Sequence, residues 1–303
     1  MRILVTGGAG FIGSHTVERL LAEGHNVAVL DNFSSGKREN LPEDSNLTII
    51  SGDVRNRDTV KAATNDMDAV LHLAAQVSVS ASVDNPVASC EHNVMGFLNV
   101  LDSSFKAGVK RFVYASSAAV YGMPKELPLN ESSPIDAISP YGLEKSIDDQ
   151  YAGLYLKLYN YSTLGLRYFN AYGLRQDASS PYAGVISKFV GALKLSEPLT
   201  MLGDGKQTRD FIYVDDIAKI NVMALKGIET GVCNIGTGES VTLLEMISAL
   251  ARVSGFSPRI NFGSAVAGDI RFSSMNPERM HEIFGEMKLT SLTEGLQKLW
   301  EAE

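Results

Sequence analysis

Short apolar runs alternate with longer segments of helical periodicity through the first half of the chain. The apolar runs predict buried strands at residues 2–6, 26–30, 47–51, 69–74, 111–116 and 162–168. The segments between them predict helices at 12–23, 56–64, 86–106 and 140–160. Repeated strand–helix units with apolar strands indicate a parallel sheet that is covered by helices on both faces.

The pattern changes after Asn170, where loops lengthen and glycines become more frequent. We expect helices at 184–195, 215–226, 242–253 and 292–301, a further helix opened by Asn276 and Pro277, and short strands at 199–202, 211–214 and 232–235. The predicted fold is α/β, a Rossmann-type doubly wound parallel sheet with a smaller C-terminal lobe. Residues 1–169 and about 208–238 are assigned to the sheet, and about 170–207 and 239–303 to the lobe.

Composition narrows the classes of protein to consider. The 303 residues are 45% hydrophobic and 20% charged, the mean hydropathy is zero and the formal net charge is −8. These values are typical of a globular protein, and the negative charge argues against nucleic acid as a partner. We see no membrane-spanning run, no signal segment and no metal-ligand spacing among the histidines. Cys90 and Cys233 form no paired motif, which favours reduced thiols in the cytoplasm.

Three glycines follow the first predicted strand at three-residue spacing, Gly7, Gly10 and Gly13. A strand, a glycine turn and a helix together bind the pyrophosphate of a dinucleotide, because backbone N–H groups and the helix N-terminus face the phosphates. Asp31 ends the second strand about 20 residues on, where such folds place an acid against the adenine ribose. The sequence therefore predicts a dinucleotide site, with a structural turn as the alternative.

Two Tyr-x-x-x-Lys patterns are candidates for acid–base chemistry. Tyr141 and Lys145 follow a helix start at Ser139, so they share one helix face, and the lysine cation would lower the pKa of the phenol. Tyr121 and Lys125 match as well, but intervening glycine and proline make a helix there unfavourable. A solvated Tyr–Lys pair on a helix surface is the alternative interpretation of the first pattern.

Polar residues at the strand ends and in the second half could contact a substrate. Ser116 and Ser117 end the fifth strand, where a hydroxyl can donate a hydrogen bond to a substrate oxygen. Their alternative role is capping of the strand end. Arg175 and Arg209 could bind phosphates bidentately, or they could be ordinary surface ion-pair partners.

An ordered set of motifs resembles the extended short-chain dehydrogenase/reductases, and most closely the UDP-glucose 4-epimerase family. The motifs span nearly the whole chain and are TGGAGFIGS (6–14), DNF (31–33), GDV (52–54), HLAA (72–75), NVMG (93–96), SSAAVYG (116–122), YGLEK (141–145), LRYFN (166–170) and RDFIYVDD (209–216). The resemblance implies NAD as the cofactor and a UDP-sugar as the substrate. It also implies that the sheet domain holds NAD and that the C-terminal lobe holds the UDP-sugar.

The resemblance implies a role for each matching residue. Tyr141 would take the proton from the sugar O4 while hydride passes from C4 to NAD⁺, Ser117 would hold O4, and Lys145 would bind the nicotinamide ribose. Other residues implied to bind the cofactor are Gly7, Gly10, Phe11, Ile12, Gly13, Asp31, Asn32, Phe33, Gly36, Asp53, Val54, Leu73, Ala74, Ala75, Gln76, Asn93, Ser116 and Tyr168. Those implied to bind the substrate, besides Ser117 and Tyr141, are Ser78, Asn170, Ala183, Val185, Phe189, Arg209, Asp269 and Ser273.

Enzymes of the same fold with related activities differ in the two residues just before Val120. Nucleotide-sugar dehydratases carry an Asp–Glu pair there, and UDP-glucuronate decarboxylases carry a Glu, whereas this chain has Ala118 and Ala119. Since alanine transfers no proton, epimerisation is favoured. The alternatives are a UDP-glucuronate epimerase or a dehydratase, a reductase that releases its cofactor, and a non-catalytic NAD-binding sensor.

Two departures from the family pattern concern the substrate. Val266 stands where the family usually has a phosphate-binding arginine, so Arg209 or Arg271 would take over part of that role. Ser273 stands where hexose-restricted epimerases carry a tyrosine, which leaves room for an N-acetyl group. The stretch 175–186 also resembles members that accept N-acetylated sugars. We therefore expect UDP-glucose and UDP-galactose, and also their N-acetylated counterparts, as substrates.

The sequence also predicts which cofactor the protein prefers and how its chains assemble. Asp31 would repel a 2′-phosphate, which predicts NAD over NADP, although the nearby Lys37 and Arg38 could accommodate that phosphate. The helices predicted at 86–106 and 140–160 resemble the pair that forms the dimer of the family. We expect a cytoplasmic homodimer without a membrane, nucleic-acid or metal partner.

Overall fold

The computed structural model describes residues 1–177, 184–265 and 270–302. The strands are β1 (Arg2–Thr6), β2 (Asn26–Asp31), β3 (Leu47–Ser51), β4 (Ala69–His72), β5 (Arg111–Ser117), β6 (Thr163–Tyr168), β7 (Asn170–Tyr172), β8 (Leu199–Leu202), β9 (Thr208–Tyr213), β10 (Gly231–Ile235), β11 (Ser240–Thr242) and β12 (Ile260–Gly263). The helices are α1 (Phe11–Ala22), α2 (Arg57–Thr64), α3 (Val79–Asp84), α4 (Pro86–Cys90), α5 (Gly96–Lys106), α6 (Pro140–Tyr159), α7 (Val185–Lys194), α8 (Val214–Lys226), α9 (Leu243–Ser254), α10 (Glu278–Phe284) and α11 (Leu292–Ala302).

Seven parallel strands form the central sheet in the order β10-β6-β5-β4-β1-β2-β3. The order reverses at β1, which is the doubly wound topology predicted from the sequence. The carboxyl ends of β1, β4, β5 and β6 therefore lie at one edge of the sheet. In open sheets of this kind ligands bind at that edge.

Apolar side chains cover both faces of the sheet. On one face the strands pack with α1, α8 and α10, around residues such as Val5, Leu20 and Ile217. On the other face they pack with α2 and α5, around residues such as Leu4 and Phe97. Because both faces are buried, the strands are apolar runs rather than alternating sequences.

A separate apolar cluster lies in the C-terminal part of the chain. It joins α7, α9 and α11 through residues that include Val190, Leu250 and Leu296. Two small sheets belong to this region, β11-β9-β7 and β12-β8. The short elements α3, β7, β11 and β12 were not predicted, because segments this short carry too little periodicity to be recognised.

The helix predicted at 86–106 forms over its whole length and contains one irregular turn. Asn85 caps α4 with its side chain, as the sequence indicated, but a π-helical turn at Glu91–Met95 separates α4 from α5. Turns of this type are often found at functional sites. No helix in the described ranges has the length and apolarity needed to cross a membrane. Cys90 and Cys233 are free thiols.

Candidate active site

The glycine turn after β1 is built on close backbone contacts. Gly7 has a φ of +69°, and a Cβ there would lie 2.7 Å from the backbone nitrogen of Ala74 in the segment after β4. A Cβ at Gly13 would lie 2.2 Å from the carbonyl oxygen of Gly7. Neither position accepts a larger residue without moving the backbone. These glycines let α1 begin directly against the turn.

The N-terminus of α1 is left without a side-chain cap. Gly10 is the capping residue and supplies no side-chain hydrogen bond, and the first turn of the helix contains no acidic residue. The N–H groups of a first helical turn lack partners within the helix and carry partial positive charge. This cradle of small residues therefore fits the pyrophosphate of a dinucleotide, and Phe11 and Ile12 lie within its first turn.

Asp31 is fixed in place at the end of β2. Its carboxylate accepts hydrogen bonds from the backbone N–H of Ala9 (2.9 Å) and of Phe33 (2.8 Å), and the residue is 7% exposed. The fixed carboxylate has lone pairs left to accept hydrogen bonds from ribose hydroxyls. Arg38, the nearby arginine, donates from Nη1 to the carbonyl of Leu41 at 3.2 Å.

Further predicted cofactor residues surround this carboxylate. Asp53 accepts hydrogen bonds from Arg55 and Asn32, and the Arg55 guanidinium holds the pKa of Asp53 well below its usual range. Val54 is buried, and a Cβ at Gly36 would lie 2.9 Å from the backbone of Ala9. The loops after β2 and β3 thus close around one end of the candidate dinucleotide cradle.

A buried polar network holds the segment after β4, which contains Leu73, Ala74, Ala75 and Gln76. Asn93, in the π-helical turn, exchanges two hydrogen bonds with the backbone of Gln76. The same amide donates to Glu144 of α6 at 2.6 Å, and Ser89 donates to Glu144 at 2.8 Å. Asn93, predicted as a cofactor residue, therefore orients the segment after β4 and ties it to α6.

Helix α6 presents the predicted acid–base pair. Ser139 caps the helix by accepting a hydrogen bond from Gly142 N–H, and Tyr141 N–H donates to Ser82 Oγ at 3.1 Å. Lys145 is 2% exposed, and its Nζ lies 3.2 Å from Asp148 Oδ2. Burial lowers the pKa of Lys145, but the charges of Asp148 and Tyr141 outweigh it, so the pKa lies above its usual value.

A cleft of about 190 Å³ opens between these elements and the C-terminal part of the chain. The predicted residues that line it are Ser117, Tyr141, Tyr168, Asn170, Arg209 and Ser273. Ala118, Ala119 and Phe272 line it as well. The structure thus brings Ser273, from the far end of the sequence, to the same cavity as Ser117 and Tyr141.

Several hydroxyls near this cleft have assigned partners. Ser117 Oγ accepts a hydrogen bond from Ala119 N–H at 3.1 Å, and Tyr168 donates to Asn221 at 2.6 Å. Burial raises the pKa of Tyr168, which keeps its hydroxyl neutral. Ser116 is 2% exposed at the end of β5. Tyr168 therefore offers the cleft a fixed ring rather than an ionisable group.

Other predicted residues lie away from the centre of the cleft. Ser78 caps α3 and accepts from Ala81 N–H, Val185 begins α7, and Phe189 is packed in the C-terminal apolar cluster. Their roles in substrate binding stay predictions. Ala183, Val266 and Asp269 fall outside the described residues.

The two candidate arginines outside the cleft have carboxylate partners. Arg175 contacts Glu18 of α1 at 2.5 Å. Arg271 contacts Asp204 at 2.8 Å and lies over the ring of Phe272. Arg209 lines the cleft, so it is the better placed of the three for a phosphate.

Tyr121 is part of a different, structural network. The residue is 1% exposed, and its hydroxyl donates to Asn234 and accepts from Arg167, both at 2.7 Å. The segment Ala118–Tyr121 is a 3-10 turn that ends at Gly122, which has a φ of +60°. Lys125 is exposed beyond this turn, so Tyr121 and Lys125 do not share a helix face.

Sequence reasoning missed three buried residues around the pair, Ser82, Glu144 and Asp148. The spacing of Lys145 and Asp148, three residues apart on a predicted helix, was the available signal for one of them. Nothing local indicated that Glu144 would accept from Ser89 and Asn93, because those partners lie far away in the sequence.

Comparison with known proteins shows the family of the chain. The model of the NAD dependent epimerase/dehydratase family matches residues 3–236. A UDP-glucose 4-epimerase of Mycolicibacterium smegmatis is 37% identical over 304 residues, which cover 98% of this chain and 97% of the relative.

Two solved structures resemble the whole fold. A UDP-N-acetylglucosamine 4-epimerase from Methanobrevibacter ruminantium, in complex with UDP-N-acetylmuramic acid, has a TM-score of 0.96 at 35% identity and covers 99% of this chain and 98% of its own. A UDP-glucose 4-epimerase from Thermus thermophilus, in complex with NAD, has a TM-score of 0.90 at 36% identity with the same coverage.

Proposed function

The chain belongs to the NAD dependent epimerase/dehydratase family, and we infer from this that it is an NAD-dependent 4-epimerase of UDP-hexoses. The observation that carries the inference is the cleft that both Tyr141 of α6 and Ser117 of β5 line. Lys145 follows Tyr141 by about one turn of the same helix. This cleft opens at the same sheet edge as the glycine turn, so a sugar and a dinucleotide would meet there.

The residues described above fit NAD. The uncapped N-terminus of α1 would hold the pyrophosphate, Asp31 would accept from the ribose hydroxyls, and Lys145 would donate to the second ribose. When bound, NAD would supply the redox chemistry: an acceptor for the hydride from C4 of the sugar and the later return of that hydride to C4. The carboxylate of Asp31 favours NAD over NADP because it would repel a 2′-phosphate.

Tyr141 would transfer the proton of the sugar O4. The positive charge of Lys145 would stabilise the negative charge on the Tyr141 oxygen while that oxygen holds no proton. Ser117 would donate a hydrogen bond to O4 and hold it beside Tyr141. Arg209 would hold the phosphates of the UDP group at the other side of the cleft.

Elimination chemistry is disfavoured by the same cleft. Loss of water from the sugar needs an acid and a base in addition to the tyrosine. Ala118 and Ala119 line the cleft at the positions next to Ser117, and neither can transfer a proton. Among the cleft residues, Tyr141 therefore provides the proton transfer that an epimerase requires.

The pocket also favours N-acetylated sugars. Ser273 lines the same cleft as Ser117 and Tyr141 and is 8% exposed, and its side chain is much smaller than a tyrosine at this position would be. We propose that UDP-N-acetylglucosamine and UDP-N-acetylgalactosamine are substrates alongside UDP-glucose and UDP-galactose. The similarity to a UDP-N-acetylglucosamine 4-epimerase supports this range.

Purified protein tests the proposal directly. We expect it to convert UDP-galactose to UDP-glucose without added reductant, and to release NAD, not NADP, into the supernatant when denatured. A protein that consumes free NAD(P)H stoichiometrically would instead be a reductase. One that releases NAD but leaves every UDP-sugar unchanged would support the non-catalytic sensor.

We further propose a homodimer formed through the helical segment that runs from α4 to α5 (86–106) and through α6. Large apolar side chains on these neighbouring helices are exposed, including Val87 (70%), Leu143 (53%) and Leu158 (64%). A second copy would cover this face and bury its apolar area. Light scattering should give about twice the 32.7 kDa chain mass, and Leu158→Glu should shift it toward one chain. A monomeric wild type would contradict the dimer.

Two assignments extend the proposal. The sheet domain, residues 1–169 with about 208–238, would hold NAD, and the remaining residues would form the UDP-sugar lobe. A cytoplasmic location is supported by the free thiols of Cys90 and Cys233, since a reducing compartment keeps cysteines unpaired. Limited proteolysis with and without UDP would test the lobe, because ligand should protect its cleavage sites. Localisation of the tagged protein would test the compartment.

A further inference from the structure

A buried carboxylate lies one helical turn beyond the acid–base pair. Asp148 is 0% exposed, and its Oδ2 is 3.2 Å from Nζ of Lys145. Tyr141, Lys145 and Asp148 follow one another at helical spacing along a single face of α6. Oδ1 of Asp148 has no hydrogen-bond partner among the described residues. Among those residues, Lys145 is therefore the one hydrogen-bond partner of this carboxylate.

The neighbouring charged groups have other partners. On α6, Asp149 bonds to Arg167 and to Tyr114 of β5, and Glu144 bonds to Ser89 and Asn93. The thiol of Cys90 on α4 has a pKa raised first by burial and then by Glu144 and Asp148.

His72 of β4 is a further titratable group near Lys145. It is fully buried, and burial followed by the charge of Lys145 lowers its pKa to about 3. His72 is therefore neutral at any pH of interest. Among these groups, Asp148 is the one in direct contact with the lysine ammonium.

A lysine this deeply buried does not keep its charge without help. Burial of an ammonium group lowers its pKa, by as much as about 3–5 units for fully buried groups. The pKa of Lys145 nevertheless lies above its usual value, since Asp148, and after it Tyr141, outweigh the effect of burial. Burial in turn raises the pKa of Asp148, which the charge of Lys145 opposes.

We propose that Asp148 is a positioning residue that keeps the ammonium of Lys145 charged and fixed on the face of α6 that carries Tyr141. This inference rests on the proposed function, in which a charged Lys145 stabilises the Tyr141 phenolate. A lysine ammonium has three donors, so one bond to Asp148 leaves two for the cofactor ribose and the tyrosine.

The role of Asp148 can be tested through the pH dependence of turnover. In the wild type Lys145 stays charged through the alkaline range, so its ionisation does not limit turnover. Asp148→Asn replaces the carboxylate by an amide of the same shape. The negative charge that opposes the effect of burial on the pKa of Lys145 is then missing. The pKa of Lys145 should fall by about 1–3 units. Above the new pKa, kcat should fall by about tenfold per pH unit, with little change in KM.

Two measurements on the NAD-loaded protein test this. Carbon-13 at Cε of lysine reports the ionisation of Lys145 by NMR, with the signal assigned by its loss in Lys145→Met. The pH profile of kcat with UDP-galactose reports the consequence for turnover. Asp148→Glu keeps a carboxylate and should restore most of the wild-type titration. Asp148→Ser serves as the neutral variant if the asparagine variant is poorly folded.

Asp149→Asn is the matched control. It removes the adjacent buried carboxylate, which bonds to Arg167, so it should lower thermal stability but shift the Lys145 titration much less. The proposal is overturned if Lys145 titrates alike in wild type and Asp148→Asn, or if Asp149→Asn shifts it as much.

The two measurements also separate this inference from the proposed function. A shifted lysine signal in a protein that turns over no UDP-sugar would refute the epimerase and leave the pairing established. Normal epimerisation with an unmoved lysine signal would refute the role of Asp148 alone.

Discussion

The choice between the two Tyr-x-x-x-Lys patterns can be decided by one pair of substitutions. Tyr141→Phe and Tyr121→Phe each remove a single hydroxyl, so the chemical change is identical. The surroundings differ: Tyr141 lines the cleft and follows the start of α6, whereas Tyr121 is buried between Arg167 and Asn234. We expect the first substitution to affect turnover and the second to affect stability.

The expected magnitudes follow from these contacts. A general acid–base group contributes about 10²–10⁴-fold to rate, so Tyr141→Phe should lower kcat by at least about a hundredfold. Tyr121→Phe removes two buried hydrogen bonds. It leaves Nη1 of Arg167 with a long contact to the Glu131 carbonyl at 3.4 Å, while Nε keeps its bond to Asp149. An unsatisfied buried donor costs about 1–3 kcal/mol, which should lower Tm by a few degrees.

The assay measures kcat with UDP-galactose and the Tm of both variants beside wild type. Tyr141→Phe should keep the wild-type Tm within about a degree, because its hydroxyl makes no hydrogen bond within the part of the chain that the structure describes. The reasoning would be refuted if both variants lost turnover equally. It would also be refuted if Tyr121→Phe were catalytically impaired at full stability.

Two further predictions concern the glycine turn and the substrate pocket. Gly13→Ala would place a Cβ 2.2 Å from Gly7 O, so it should abolish NAD retention and lower Tm. The control Gly153→Ala, in a helix position with nothing within 4 Å, should raise stability by about 0.5–1 kcal/mol. Equal NAD content in the two variants would contradict the role of the turn. Ser273→Tyr should lower kcat/KM for UDP-N-acetylgalactosamine relative to UDP-galactose by about 10- to 200-fold, because the ring would fill the space beside the reacting centre. An unchanged ratio of the two kcat/KM values would show that Ser273 is not the gate.

The sequence by itself determined how strands and helices alternate along the chain of the central sheet. Apolar runs, capping residues such as Asn85 and Ser139, and the glycine spacing act locally, and the structure follows them closely. The glycine turn and the Tyr141–Lys145 pair could be recognised for the same reason. Both features depend on residues that lie close together in the sequence, within one or two helical turns.

Only the tertiary structure decided which polar groups face one another. Ser273 reaches the cleft of Ser117 because the chain returns to the sheet edge after many connections, and no local pattern encodes that return. The short strands form only because partner strands lie beside them. Burial also determined the roles of two other residues. Tyr121 is buried in a structural network with Arg167. Asp148 is the counter-ion of Lys145, a buried lysine that would otherwise lose its charge.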